Sequence, residues 1–183
     1  TAKVKIIGVI ENQAPTKLLK GVLPVENGFV KGDLDKDICQ VALVERHRGT
    51  GQITNGFVSG FGYKEKCAVA STVAHDSHHM IIVGTDQENM ALAGNHLASI
   101  GGGVTVFKDG VELATVSLNI AGLMSDAPAQ NVAKAADNMV EAMQICGCKI
   151  NNGYMQHSLL ALVVIPELRI SDLGLIDVKK FEI

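Results

Sequence analysis

Tryptophan is missing, and two tyrosines with five phenylalanines supply every aromatic side chain. A core of stacked rings is therefore excluded, and Val, Ile, Leu, Ala and Met must build it. The same scarcity removes base-stacking platforms. With a net charge of −3 and no basic block or Arg-rich stripe, nucleic-acid binding is not expected. Charge itself is sparse, at 19% against 47% hydrophobic residues. That makes the chain drier than an ordinary soluble domain. No apolar run approaches the roughly 20 residues that span a bilayer. The opening TAKVKIIGVIENQ carries too short an apolar patch for a signal peptide and reads as a strand. Its four cysteines form no C-x-x-C pair, and Cys146 and Cys148 lie too close in sequence for a favourable disulfide. Free thiols in a reducing cytoplasm are the expectation. A chain so apolar commonly hides part of its surface against another copy or a neighbouring domain, so a homo-oligomer is expected.

What is present reads as one α+β domain, and 183 residues suffice for it. KVKIIGVI and ICQVALVERH are strand-like, as are CAVASTVA and HMIIVG. Asn27-Gly28 and Asp109-Gly110 mark tight hairpins. The stretch RGTGQITNGFVSGFGYKEK holds Gly49, Gly51, Gly56, Gly60 and Gly62 around a short strand at Phe57 and Val58. Thr85 with Glu88 spells a capping box that opens a helix over about 86–100, stopped by Gly101. A second helix over about 127–146 begins after Ser125 or Asp126 and is closed by Gly147. Apolar residues at SLLALVVI, then an extended tail broken at Pro166 and Gly174, end the chain. Mixed or mainly antiparallel sheets covered by two long helices are the expected architecture. No internal repeat or low-complexity linker divides it.

Two polar clusters interrupt this apolar text. In ASTVAHDSHHMIIVG, His75, Asp76, Ser77, His78 and His79 crowd a strand junction. If extended, His75, Ser77 and His79 share one face, and Asp76 and His78 the other. If turned, His75 meets His78 and His79. A histidine beside a carboxylate suits acid–base work or metal ligation, yet no H-E-x-x-H or supporting Cys pair is present. A polar turn satisfying its own backbone explains the same residues. In VERHRGTG, Glu45 and His47 would point one way from a strand, Arg46 and Arg48 the other. This is either a structural ion pair or an anion or purine clamp. The glycines that follow fit neither a P-loop nor a dinucleotide fingerprint. His96 and His157 stand alone, and the methionines at helical spacing are core.

Taken together, Val44–Gly51, GFVSGFG (56–62), ASTVAHDSHH (70–79), NIAGLMSDAP (119–128) and VIPELRISDLGLIDVKKFE (164–182) resemble the C-terminal domain of bacterial adenine deaminase. That enzyme is a member of the amidohydrolases. The likeness runs over essentially the whole chain, with one departure: the family text reads H-D-S-H-N, and His79 stands in the last place.

The resemblance implies a longer parent enzyme in which a barrel holds a manganese or iron two-metal centre and converts adenine and water to hypoxanthine and ammonia. None of those metal ligands is recognisable here. There is no H-x-H, and a (β/α)₈ barrel needs about 250 residues. No metal is expected in this chain, and its partner would be the missing barrel domain. His75, Asp76, Ser77 and His78 are the candidate catalytic residues contributed to that parent. Glu45, Arg46, His47 and Arg48 are the candidate substrate-binding residues, supporting the histidine segment from behind. The isolated chain is expected to be inactive. The rival readings are a stand-alone metal hydrolase using the histidine cluster, and a dimerisation module without chemistry.

Overall fold

The computed structural model describes all residues, Thr1–Ile183. Its strands are β1 (Ala2–Val9), β2 (Thr16–Leu23), β3 (Val25–Glu26), β4 (Phe29–Val30), β5 (Ile38–Val44), β6 (Ile53–Ser59), β7 (Cys67–Ser71), β8 (Met80–Gly84), β9 (Gly103–Lys108), β10 (Val111–Ser117), β11 (Leu168–Ser171) and β12 (Gly174–Asp177). The α-helices are α1 (Gln87–Ile100), α2 (Ala129–Ile145) and α3 (Gly153–Leu159). Eight strands form one sheet in the order β10-β9-β7-β8-β5-β6-β1-β2. Every pairing in it is antiparallel except β1 with β6. The sheet is thus mixed and open, with β10 and β2 as its edges. No helix is long and apolar enough to cross a membrane.

Alternation along the strands sorts side chains to two faces. Val41, Leu43, Val69, Ile81, Val83, Val104 and Val106 point into the larger core, where Met139, Ala142 and Met143 of α2 meet Leu160 and the β11 residues Leu168 and Ile170. Ala42, Ala68, Ala70, Met80 and Ile82 point the other way, against Met90, Ala93 and Leu97 of α1. Small residues let α1 lie close. A Cβ on Gly84 would stand 2.3 Å from Met90 Cγ. The central strands β7 and β8 are buried along their whole length. That is why they read as continuous apolar runs.

The α+β class holds, and both turn signals are realised: Asn27-Gly28 and Asp109-Gly110 all have positive φ. Several details differ from the sequence reading. Three helices are present, not two: residues 153–159, a stretch to which the sequence reading gave no element, are helical. The two long helices are slightly shorter than expected. Asp86, not Thr85, caps α1 by accepting the Asn89 amide at 2.9 Å. The Thr85 hydroxyl is engaged with Cys67 N and Glu65 O instead. At α2 neither Ser125 nor Asp126 caps, and Pro128 leads in with no side-chain cap. Residues 53–59 form a full seven-residue strand rather than a short one. Residues 16–23, hidden by turn residues in the sequence, pair along all of β1.

Candidate functional site

One end of the sheet gathers the β5–β6 loop (45–52), the β7–β8 turn (72–79) and the β10–α2 loop (118–128). The VERHRGTG, ASTVAHDSHH and NIAGLMSDAP blocks therefore meet in space. Strand β5 stops at Val44, so Glu45 to Arg48 belong to a loop, and the alternating directions expected of a strand do not apply.

Glu45 organises that loop. Its Oε1 accepts the amides of His47 (2.6 Å) and Arg48 (2.7 Å), and its Oε2 accepts the amide and hydroxyl of Thr50, both at 3.0 Å. Donors from Thr50 and Arg48, and then from His47, favour the charged form and hold this carboxyl down to about 2. The carboxylate is an internal staple, and none of these bonds leaves the loop.

Arg46 ties the three segments together. Its Nε donates to His78 O at 2.6 Å and its Nη2 to Ala121 O at 2.8 Å. The planar guanidinium suits this because its donors diverge in a fixed fork. Gly122 makes room for it. A Cβ there would lie 3.0 Å from both Arg46 terminal nitrogens and 2.9 Å from Thr72 Oγ1, at a φ of +73°. Thr72, fully buried, adds a second tie by donating to Gly122 O (2.6 Å) and accepting from Gly103 N (2.8 Å). His47 Nε2 bonds Ser77 O at 2.6 Å.

The histidine segment is a tight turn, with His78 N donating to Ala74 O at 2.7 Å and His78 at a φ of +53°. His75 and His78 meet edge-on with centroids 5.1 Å apart. His79 leaves them and packs its ring 4.7 Å from that of His47. The His78 imidazole titrates below its ordinary value because it is desolvated and lies near His75. Asp76 and Ser77 are exposed, as are His47 and Arg48. The amide of His75 rests on Ser158 O at 2.9 Å, which seats the turn on α3. Of the named candidates, then, Glu45 and Arg46 hold loops in place. His47, Arg48, Asp76 and Ser77 face outward, and His75 and His78 lie half-buried between them.

Sequence reasoning missed a further node. His79 is buried, with Nδ1 4.0 Å from Glu45 Oε1 and Nε2 3.9 Å from Asp172 Oδ2. These separations are too long for hydrogen bonds, and Nδ1 has no partner. Burial, and then the neighbouring His47, push this imidazole below its ordinary value. Asp172 belongs to the β11–β12 turn, whose carbonyl is bonded by Gln52 Nε2 (2.6 Å) and Thr54 Oγ1 (3.1 Å). The only signal for this was that LRISDLG sits in one of the blocks that resemble the family. Two more polar residues are fully buried. Arg169 donates to Ala14 O, Leu159 O and Ile165 O. The His157 ring makes no hydrogen bond and packs against Phe61.

No three His, Cys, Asp or Glu side chains converge into a metal-holding group. His47 Nε2 and His78 Nδ1 engage Ser77 O and the Ala74 amide.

Fold and site together define an open-sheet α+β domain that presents a rigidly tied loop platform at one end. A family description, adenine deaminase C-terminal domain, matches residues 13–182. An adenine deaminase of Ruegeria sp. is 70% identical over 97% of this chain and 29% of that relative's length. One from Paracoccus denitrificans is 67% identical over 100% of this chain and 30% of the relative. One from Moorella thermoacetica is 46% identical over 98% and 30% respectively. The chain belongs to the adenine deaminase C-terminal domain family, and it spans about 30% of the length of the curated relatives it matches.

Proposed function

We propose that this chain is the C-terminal accessory domain of an adenine deaminase, a metal-dependent hydrolase that releases ammonia from adenine to give hypoxanthine. In this reading the loop platform packs at the mouth of a reaction centre built by the remainder of the enzyme. The metal chemistry belongs to that remainder. His75, Asp76, Ser77 and His78 face the reacting base, where a half-buried imidazole beside a carboxylate is suited to passing a proton to departing ammonia. His47 and Arg48 line the approach, while Glu45 and Arg46 hold the platform's shape.

The observation that carries this reading is the convergence of three separated sequence blocks on one surface. Their buried members, Glu45 and Thr72, lock the backbone, and their outward members, His47, Asp76 and Ser77, are left without structural employment of their side chains beyond the His47–Ser77 tie. The test is steady-state kinetics of the full-length enzyme. His75→Ala and Asp76→Asn are expected to lower kcat by about a hundredfold or more, the scale of a lost proton-transfer group, with thermal unfolding and metal content unchanged. Unchanged kinetics in both variants would leave the platform a packing surface only.

A further inference from the structure

Beside the histidine turn lies a cavity of about 470 Å³ between the β7–β8 turn, the β11–β12 turn and the residues after β12. It shares Asp76 and Ser77 with the platform. Its walls carry three carboxylates, Asp76, Asp172 and Glu182, and no lysine or arginine. The two lysines that follow β12 are engaged elsewhere: Lys179 pairs with Glu167, and Lys180 lies 3.9 Å from Asp177. His79, whose Nε2 lies 3.9 Å from Asp172 Oδ2, is itself buried. Around the opening stand large apolar side chains in water. Phe181 is 87% exposed, Leu173 69% and Ile183 68%.

An acidic hollow with an apolar rim has a definite complement. Covering it with apolar surface alone would desolvate carboxylates without compensation. A guanidinium or ammonium on a long aliphatic stem satisfies both parts, with the stem against the rim and the charged head among the carboxylates. The curated relatives extend far beyond the 30% of their length that this chain represents. An intrachain domain contact of ordinary size, about 600–1,500 Å², must fall somewhere on this surface.

We propose that this cavity is the docking seat for the catalytic portion of the same polypeptide, which inserts an Arg or Lys side chain flanked by apolar residues. The seat rests on the accessory-domain reading above and adds to it the place and chemistry of the contact. It fixes the platform's orientation, because Asp76 belongs to both surfaces.

The experiment places the photocrosslinker p-benzoylphenylalanine at Phe181 in the full-length enzyme, with a second version at Leu173. Both positions are exposed, so neither replacement disturbs the core. Irradiation of a mixture of isotope-labelled and unlabelled enzyme, followed by peptide mapping, separates intrachain from interchain products. The expected product is intrachain, joins the segment preceding this domain, and maps within a few residues of an Arg or Lys. Asp172→Lys is expected to lower its yield roughly fivefold, the equivalent of about 1 kcal/mol of docking. A product linking two copies would show a dimer contact instead and overturn the proposal. So would the absence of any product from either position, or a yield indifferent to Asp172→Lys. Adenine turnover is measured on the same samples. Turnover without the intrachain product sinks the docking seat and leaves the hydrolase reading standing, whereas the product without turnover does the reverse.

Discussion

Removing the guanidinium of Arg46 tests whether the platform is one mechanical unit. Arg46→Ala deletes two charge-assisted hydrogen bonds, to His78 O at 2.6 Å and Ala121 O at 2.8 Å. Such bonds are worth about 1.5–3 kcal/mol when shielded from water. The side chain is only half-buried, and water re-solvates both carbonyls once the loops part, so about 1 kcal/mol each is the appropriate figure. The total, about 2 kcal/mol, corresponds to a fall in Tm of roughly 4–8 °C for a domain of this size. Hydrogen exchange read by mass spectrometry gives the sharper result. Amides in both 75–79 and 118–124 should lose protection together, although these segments lie far apart in sequence. Arg46→Lys should recover less than half of the loss, since one ammonium cannot span two carbonyls on divergent lines. A Tm within about 1 °C of the parent, or exchange altered only in the 45–52 loop, would refute the claim that this side chain couples the segments.

Gly122→Ala attacks the same junction from the other side. Its new methyl would crowd Arg46 and Thr72 at a φ of +73°, so a loss above about 1 kcal/mol in urea unfolding is expected. Arg169→Met removes the donors to Ala14 O and Ile165 O and one of the two to Leu159 O, which keeps the Leu162 amide, and a loss of about 2–4 kcal/mol is expected by the same assay. His157 is held at about 3 by burial alone, below its unfolded value. The unfolded chain therefore binds an extra proton between pH 6.5 and about 3, and stability falls as pH drops through that window. His157→Phe should flatten that slope, and the ring proton shifts of His157 in the parent should stay at their neutral position down to about pH 4.

Elements with a strong local signature were legible in the sequence. The 3.6-residue stripe of Met90, Ala93 and Leu97 gave α1, and the unbroken apolar runs gave β7 and β8. Asn27-Gly28 and Asp109-Gly110 gave their hairpins because few other pairs tolerate two positive φ values. Strand β2 escaped notice. TKLLKGVL is an edge with lysines among its exposed positions, so it lacks clean alternation. Helix α3 escaped because GYMQHSL is short and carries no apolar stripe; the positions it buries are Gly153, Gln156, His157 and Ser158. At the platform, the crowding of polar residues was visible, but their division of labour was not. Glu45 spends its oxygens on amides and Arg46 on carbonyls, and backbone partners leave no trace in residue identity.

That choice of partner has an evolutionary corollary. Main-chain oxygens are common to every amino acid, so a clamp that grips them is blind to the side chains passing beneath it. Positions 14, 78, 121, 159 and 165 are thereby freed to drift as far as the clamps are concerned, while Arg46 and Arg169 are not. A scaffold anchored in this way can renew the outward chemistry of its loops and keep the shape that presents them.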